Sequence, residues 1–176
     1  LHYTWGDQIR AARVEEVLGA GRHLTTVDMM KLQMDELSVA ARNLVPLLRN
    51  LPDVDGDLSI ARDKLLHWDH VLDRHSIEAA IYVSWERVLL RRVHDTIVPT
   101  NAHDYISRIN TKRMIDWLVA PDGRFGSDPI VGRDTLLRDS LSEALTNLSD
   151  RFGSSDMNHW RYGDTKFKHA LIHHPM

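Results

Sequence analysis

Eleven histidines stand in this chain of 176 residues, and two groups of them are dense enough to suggest metal chemistry. His67, His70 and His75 fall in HWDHVLDRH, with Asp69 and Asp73 between them. On a helix His67 and His70 share a face, as two zinc ligands can. Their spacing is three and Trp-Asp lies between them, so the HExxH pattern is absent. The stretch reads as polar residues at a helix end with Trp68 as the core anchor. His169, His173 and His174 form the second group, in HALIHHP. On a strand His169 and His173 face one side and His174 the other, which divides them. DVDGDLS, starting at Asp53, hints at a calcium loop. Its glycine comes fourth instead of sixth, and the twelfth residue is Lys64, not Glu, so it fails the EF-hand pattern twice. No metal and no cofactor are expected in this chain.

Nucleophiles are equally hard to find. Cysteine is absent. Ser38, Ser59, Ser76, Ser84, Ser107, Ser127 and Ser140 lie outside any G-x-S-x-G turn and lack an S-x-x-K partner. Ser76 reads as a helix cap. Ser38 and Ser84 fall inside expected helices, where a hydroxyl bonds back to the backbone. One cation stands out instead: Arg10, at the start of a helix in YTWGDQIRAARVEEVL. A guanidinium is always charged and presents its donors in a fixed fork. The plainer use of Arg10 is a surface ion pair with Asp7 or Glu15.

The elements that must position these residues are helical by their apolar spacing. Ile9, Arg13, Val14, Val17 and Leu18 make a short amphipathic helix that Gly19 and Gly21 stop. Thr25 and Asp28 form a capping box. The helix it opens, expected over 28–45, carries Met29, Leu32, Leu37, Ala40, Ala41 and Leu44, and Pro46 bends or ends it. Further helices are expected over 58–68, 76–94, 111–121 and 134–152, the last stopped by Gly153. Residues 95–110 are ambiguous, PDGRFGSDPIVG reads as a loop, and KFKHALIHH over 166–174 reads as a short terminal strand. Trp5, Trp68, Trp85, Trp117 and Trp160 should supply much of the core. The expected fold class is therefore mainly α, a multi-helix body with a short terminal strand, in one region over 1–176.

Composition narrows the classes. Apolar residues make up 43% of the chain, enough for a core and too many for a disordered tail, and charged ones make up 27%, too many for a membrane span. The net charge is −3, without a basic block, so no nucleic-acid partner is expected. The N-terminus shows no signal peptide. The chain opens on Leu1, and a processed, trimmed or excised piece is expected.

Four stretches in order resemble the penicillin acylase (penicillin amidase) family of N-terminal-nucleophile hydrolases. Trp5, Arg10, Arg13, Val14, Glu16 and Leu18 match an aromatic residue, an arginine and a helix of the form R-x-x-R-[IV]-x-E-x-L. Leu24, Thr25, Asp28, Gln33, Asp35, Ser38, Ala41, Leu44, Pro46 and Leu48 match the next family stretch. Ala61, Leu65, Trp68, Asp69, Ser76, Ala79, Ile81 and Trp85 match the third. Trp160, Tyr162, Gly163, His174 and Pro175 match a terminal element. There a histidine common in the family is replaced by Lys166, so no role of that histidine carries over.

The resemblance implies a fragment of a larger αββα hydrolase, an interior or C-terminal helical piece of its large chain. In that family a serine freed by self-cleavage is the nucleophile and its own α-amino group the base. An asparagine and a backbone N–H hold the oxyanion. All of these precede Trp5 in family order, so this chain alone is expected to be inactive. Arg10 matches the arginine beside the nucleophile and the oxyanion asparagine, which makes it the one candidate catalytic residue, in a supporting role. The implied substrates are small acyl amides such as penicillins or N-acyl-homoserine lactones. The implied partners are the remaining segments of the same precursor, with any calcium held elsewhere, and the implied place is periplasmic or secreted. The rival expectation is a non-catalytic helical binding or scaffold domain.

Overall fold

The computed structural model describes residues 8–19 and 23–167. Among them seven α-helices form: α1 (Gln8–Leu18), α2 (Thr26–Gln33), α3 (Val39–Leu44), α4 (Gly56–Leu66), α5 (Ile77–Ile97), α6 (Thr111–Val119) and α7 (Pro129–Phe152). Among these residues no strand forms. The sole β contact there is an isolated antiparallel bridge between Leu37 and Val71. The expected strand over 166–174 lies outside the described residues beyond Phe167, and so do Trp5 and the histidines at 169, 173 and 174.

Local chemistry explains most helix ends. Thr25 and Asp28 close the capping box on α2, Ser76 caps α5 through the Ala79 N–H, and Gly153 ends α7 at φ 66°. A left-handed residue in that place favours glycine. Two expectations need correction. The single helix over 28–45 is two helices, because the Asp35 carboxylate takes the Leu37 N–H at 2.9 Å and Ser38 caps a new start at the Ala41 N–H. Side-chain acceptors of this kind compete with the helical ladder. As expected, the α-helix ends just before Pro46, at Leu44, and the chain passes into a 3₁₀ turn over Val45–Leu48. The last helix starts at Pro129, not 134. Asp128 accepts from the Ile130 and Val131 N–H groups and Pro129 occupies the first turn, where its missing N–H costs nothing.

α5 is the centre of the body. Its residues Ala79 to Trp85 are all buried in sequence, as expected of a helix covered on every side. α7 presents one stripe to it, Leu137, Leu141, Ala144, Leu148 and Phe152. The seam is fixed by polar contacts too. The Trp85 indole N–H donates to Ser140 Oγ at 2.9 Å, and that hydroxyl donates to the Leu137 carbonyl. Arg91 and Arg92 of α5 both grip Glu143 of α7. Trp68, Trp85 and Trp160 are buried in the same core, and Trp117 packs against it half-buried.

α1 and α2 differ from the rest, since neither contains a buried residue. α1 lies against α3 and α6, with Ile9, Val14 and Val17 only half covered. Among the described residues no helix is long and apolar enough to cross a membrane.

Candidate functional site

The one candidate carried from sequence, Arg10, sits on α1 at the mouth of a small cavity of about 120 Å³. Ile9, Val14, Leu32, Leu37 and Val39 give the cavity apolar walls, while Arg13, Asp35 and Ser38 add polar groups. One turn after Arg10, Arg13 is fully engaged. Its Nε and Nη2 reach Asp35 Oδ2 at 2.9 and 2.7 Å, and its Nη1 reaches Glu16 at 3.1 Å. Glu16 also accepts a two-pronged grip from Arg42 of α3, at 3.1 and 2.8 Å. Two arginines and two acids therefore tie α1 to the start of α3.

Arg10 is different. It is exposed, and among the described residues it forms no ion pair or hydrogen bond. Its charge acts through space on Asp35. Burial pushes the Asp35 carboxyl up, but the Leu37 N–H, Arg13 and Arg10 outweigh it, and the net position is below the ordinary value. Asp35 is thus an anion at neutral pH, holding Arg13 directly and attracting Arg10 through space.

Chain segments far apart in sequence meet at the α2–α3 connection. The Trp68 indole N–H donates to the Val71 carbonyl at 3.2 Å, and Asp69 accepts the Val71 N–H at 3.0 Å. This Trp-Asp turn presents residues 70–72 to the α2–α3 connection. There the Ser38 N–H donates to the His70 carbonyl at 2.8 Å and the Leu72 N–H to that of Glu36 at 3.0 Å. The terminal stretch docks beside it: the Tyr162 and Gly163 N–H groups donate to the Ser76 and Arg74 carbonyls. A Cβ on Gly163 would lie 2.6 Å from Arg74 Cβ, which explains a glycine there. The buried Tyr82 hydroxyl faces Ser38 and Glu86 without a well-aligned hydrogen bond to either. Burial and then Glu86 push its pKa well above 10.

The stretches matched from the sequence are therefore joined in the fold, the first to the second by ion pairs and the second, third and terminal ones by backbone hydrogen bonds. A sequence model of the family described as penicillin amidase matches residues 1–176. The chain belongs to the penicillin amidase family. No curated protein matches it. Family membership makes it an amidohydrolase-like chain at the coarse level.

The other histidines and serines weighed as candidates in this penicillin amidase chain make local contacts. His67 Nδ1 lies 2.7 Å from the Asp63 carbonyl of its own helix. His70 stands edge-on to Trp68, with ring centroids 5.5 Å apart, and His75 is exposed. These three do not converge; among the described residues the metal-capable group that does is His94, Asp95 and His103. Ser84 and Ser140 donate to carbonyls of α7. Lys166, which replaces the family histidine, donates from Nζ to the Phe152 carbonyl at the end of α7 at 3.0 Å. Sequence reasoning missed the clamp. Arg13, Glu16 and Asp35 were matched as motif positions, yet their pairing could not be read from helical spacing.

His70 gives the junction a pH dependence. Its backbone is left-handed at φ 65°. Burial lowers the imidazole pKa, Asp69 opposes this and Arg42 adds to it, for a net decrease from 6.5. The unfolded chain therefore binds the proton more readily near pH 6. The His70 contribution is complete above about 6.5 and is lost as pH falls through the folded value. Asp35 acts in the same sense lower down, below its ordinary 3.8. Asn tolerates the left-handed region and does not titrate, so His70→Asn should keep the turn and remove the upper step. Melting temperatures of the two proteins across pH 5 to 8 check this: the wild type should lose more on acidification. Parallel curves would refute it.

Proposed function

We propose that the chain is the helical part of an N-terminal-nucleophile amidohydrolase that cleaves small acyl amides, of the penicillin or N-acyl-homoserine-lactone kind. The nucleophilic serine, its α-amino base and the oxyanion asparagine come from other segments of the same precursor. Arg10 stands beside them. The observation that carries this reading is the contrast between two arginines one turn apart: Arg13 is paired with Asp35 and Glu16, whereas Arg10 lines the cavity exposed and without a direct ion pair among the described residues. A guanidinium in that position orients the amide of an asparagine and disfavours protonation of a nearby amine, which keeps the amine in the unprotonated form that can accept a proton. It also adds positive potential where the tetrahedral oxyanion develops. The enzyme is proposed to work in the periplasm or outside the cell.

Without a nucleophile and base a covalent acyl-transfer route is closed, and Ser38, Ser76, Ser84 and Ser140 are committed to caps or carbonyls. The purified chain should therefore leave a chromogenic phenylacetyl or fatty-acyl anilide intact. Turnover should appear when the chain is produced together with the remaining segments of its precursor. Hydrolysis by the chain alone, surviving a check for host acylase, would overturn the reading, as would an assembled precursor without amidase activity.

A further inference from the structure

We propose that His94, Asp95 and His103 form a binding site for one zinc-class divalent ion, which clasps the connection between α5 and α6 to the end of α5. His94 lies in the last turn of α5. The chain leaves that helix, turns through Thr100–Ala102 and brings His103 back, so that the two imidazole centroids are 4.7 Å apart. One ligand atom from each of the three residues lies within 4.8 Å of the others.

The hydrogen bonds select which nitrogens face the site. His94 Nε2 is 2.6 Å from the Ile106 carbonyl and His103 Nε2 is 2.9 Å from the Val98 carbonyl. A carbonyl oxygen only accepts, so both Nε2 atoms carry protons and donate. The remaining nitrogen of each ring is Nδ1, the coordinating atom. Metal-bound histidines are held in this way, the second ring nitrogen donating to a backbone carbonyl that fixes tautomer and orientation. His94 Nδ1 is already 3.0 Å from Asp95 Oδ1. Ligands at zinc bond lengths around a tetrahedron lie roughly 3.3 Å apart. His94 and Asp95 thus need little movement, and half-exposed His103 closes the remainder.

Donor chemistry and surroundings agree. Two imidazoles and one carboxylate suit zinc, cobalt or nickel, not calcium or magnesium, which prefer oxygen alone. The carboxyl end of a 21-residue helix carries partial negative charge and favours a cation. The Asp95 side chain is 54% exposed, which leaves an entry path and a position for water as fourth ligand. The site is distinct from the cavity at Arg10 and independent of the amidase reading.

The test uses the whole chain, stripped with chelator and dialysed, then titrated with zinc chloride by calorimetry and with cobalt as a spectroscopic probe. One equivalent should bind, and cobalt should give the visible bands of a low-coordinate nitrogen and oxygen site. His103→Ala and Asp95→Asn should each weaken zinc roughly 100-fold or more, since outer partners alone are worth up to that, with an unchanged circular dichroism spectrum. His67→Ala, and a variant with His169, His173 and His174 all changed to Ala, should bind like the wild type. Failure of the wild type to bind one equivalent would overturn the site. So would full affinity in His103→Ala, or loss of binding in the triple variant.

Discussion

Replacing Arg10 with Ala in the complete precursor should lower kcat by about 100-fold, the usual worth of a charge-stabilising contact at an oxyanion. KM should change little, because the contact strengthens only as charge develops. Stability should also change little, since Arg10 is exposed and pairs with nothing among the described residues. Arg10→Lys should recover only part of the rate: an ammonium restores the charge and not the fork. Arg13→Ala is the contrasting variant. It strips Asp35 and Glu16 of a shared partner, so its main effect should be on the docking of α1, read as a lower melting temperature. Steady-state kinetics and thermal melts of the three proteins separate the roles. An Arg10→Ala enzyme with normal turnover would make Arg10 an ordinary surface residue.

The largest stability effect should come from Trp85→Ala. Trp85 is fully buried at the α5–α7 seam and donates to Ser140, itself fully buried. Truncating a buried tryptophan costs about 3–5 kcal/mol, a large share of a typical domain's total. At roughly 2–4 °C per kcal/mol for a chain of this length, the melting temperature should fall by roughly 6–20 °C. Ser140→Ala is smaller but informative, because it leaves the indole N–H buried without an acceptor, at about 1–3 kcal/mol. The two changes share one hydrogen bond, so the double variant should be less destabilised than the sum of the singles, by about 1 kcal/mol. Additive losses would show that the Trp85–Ser140 bond contributes nothing beyond packing.

What could be read in the sequence was local. The Thr25–Asp28 box, the Ser76 cap, the Gly153 stop and the stripe of α7 each rest on residues three or four apart, and each is present. The break between α2 and α3 was hidden because the apolar spacing runs on through Leu37 while Ser38 changes role from interior residue to cap. The early start of α7 was hidden because Asp128-Pro129 has the composition of a loop and also of a helix start. The Arg13–Asp35 and Arg42–Glu16 pairs span 22 and 26 residues, and no periodicity reports contacts of that range. His94 and His103 sit nine apart across a stretch without a pattern, so the densest histidine runs drew attention and the convergent pair did not. The resemblance singles out Arg10 from the sequence; the fold adds that Arg13, one turn on, is paired with Asp35 and Glu16.

The way α1 is held has a kinetic side. A helix attached through Arg13, Glu16, Asp35 and Arg42, with no buried residue and only Ile9, Val14 and Val17 half covered, depends largely on forces that dissolved ions screen over about 8 Å at physiological strength. The rest of the body is bound by burial, which salt does not weaken in this way. α1 can therefore detach while the α5–α7 seam stays closed, as a separately opening unit of low cost. Added salt is therefore expected to free α1 before it loosens the α5–α7 seam, read as faster amide exchange over 8–18 alone.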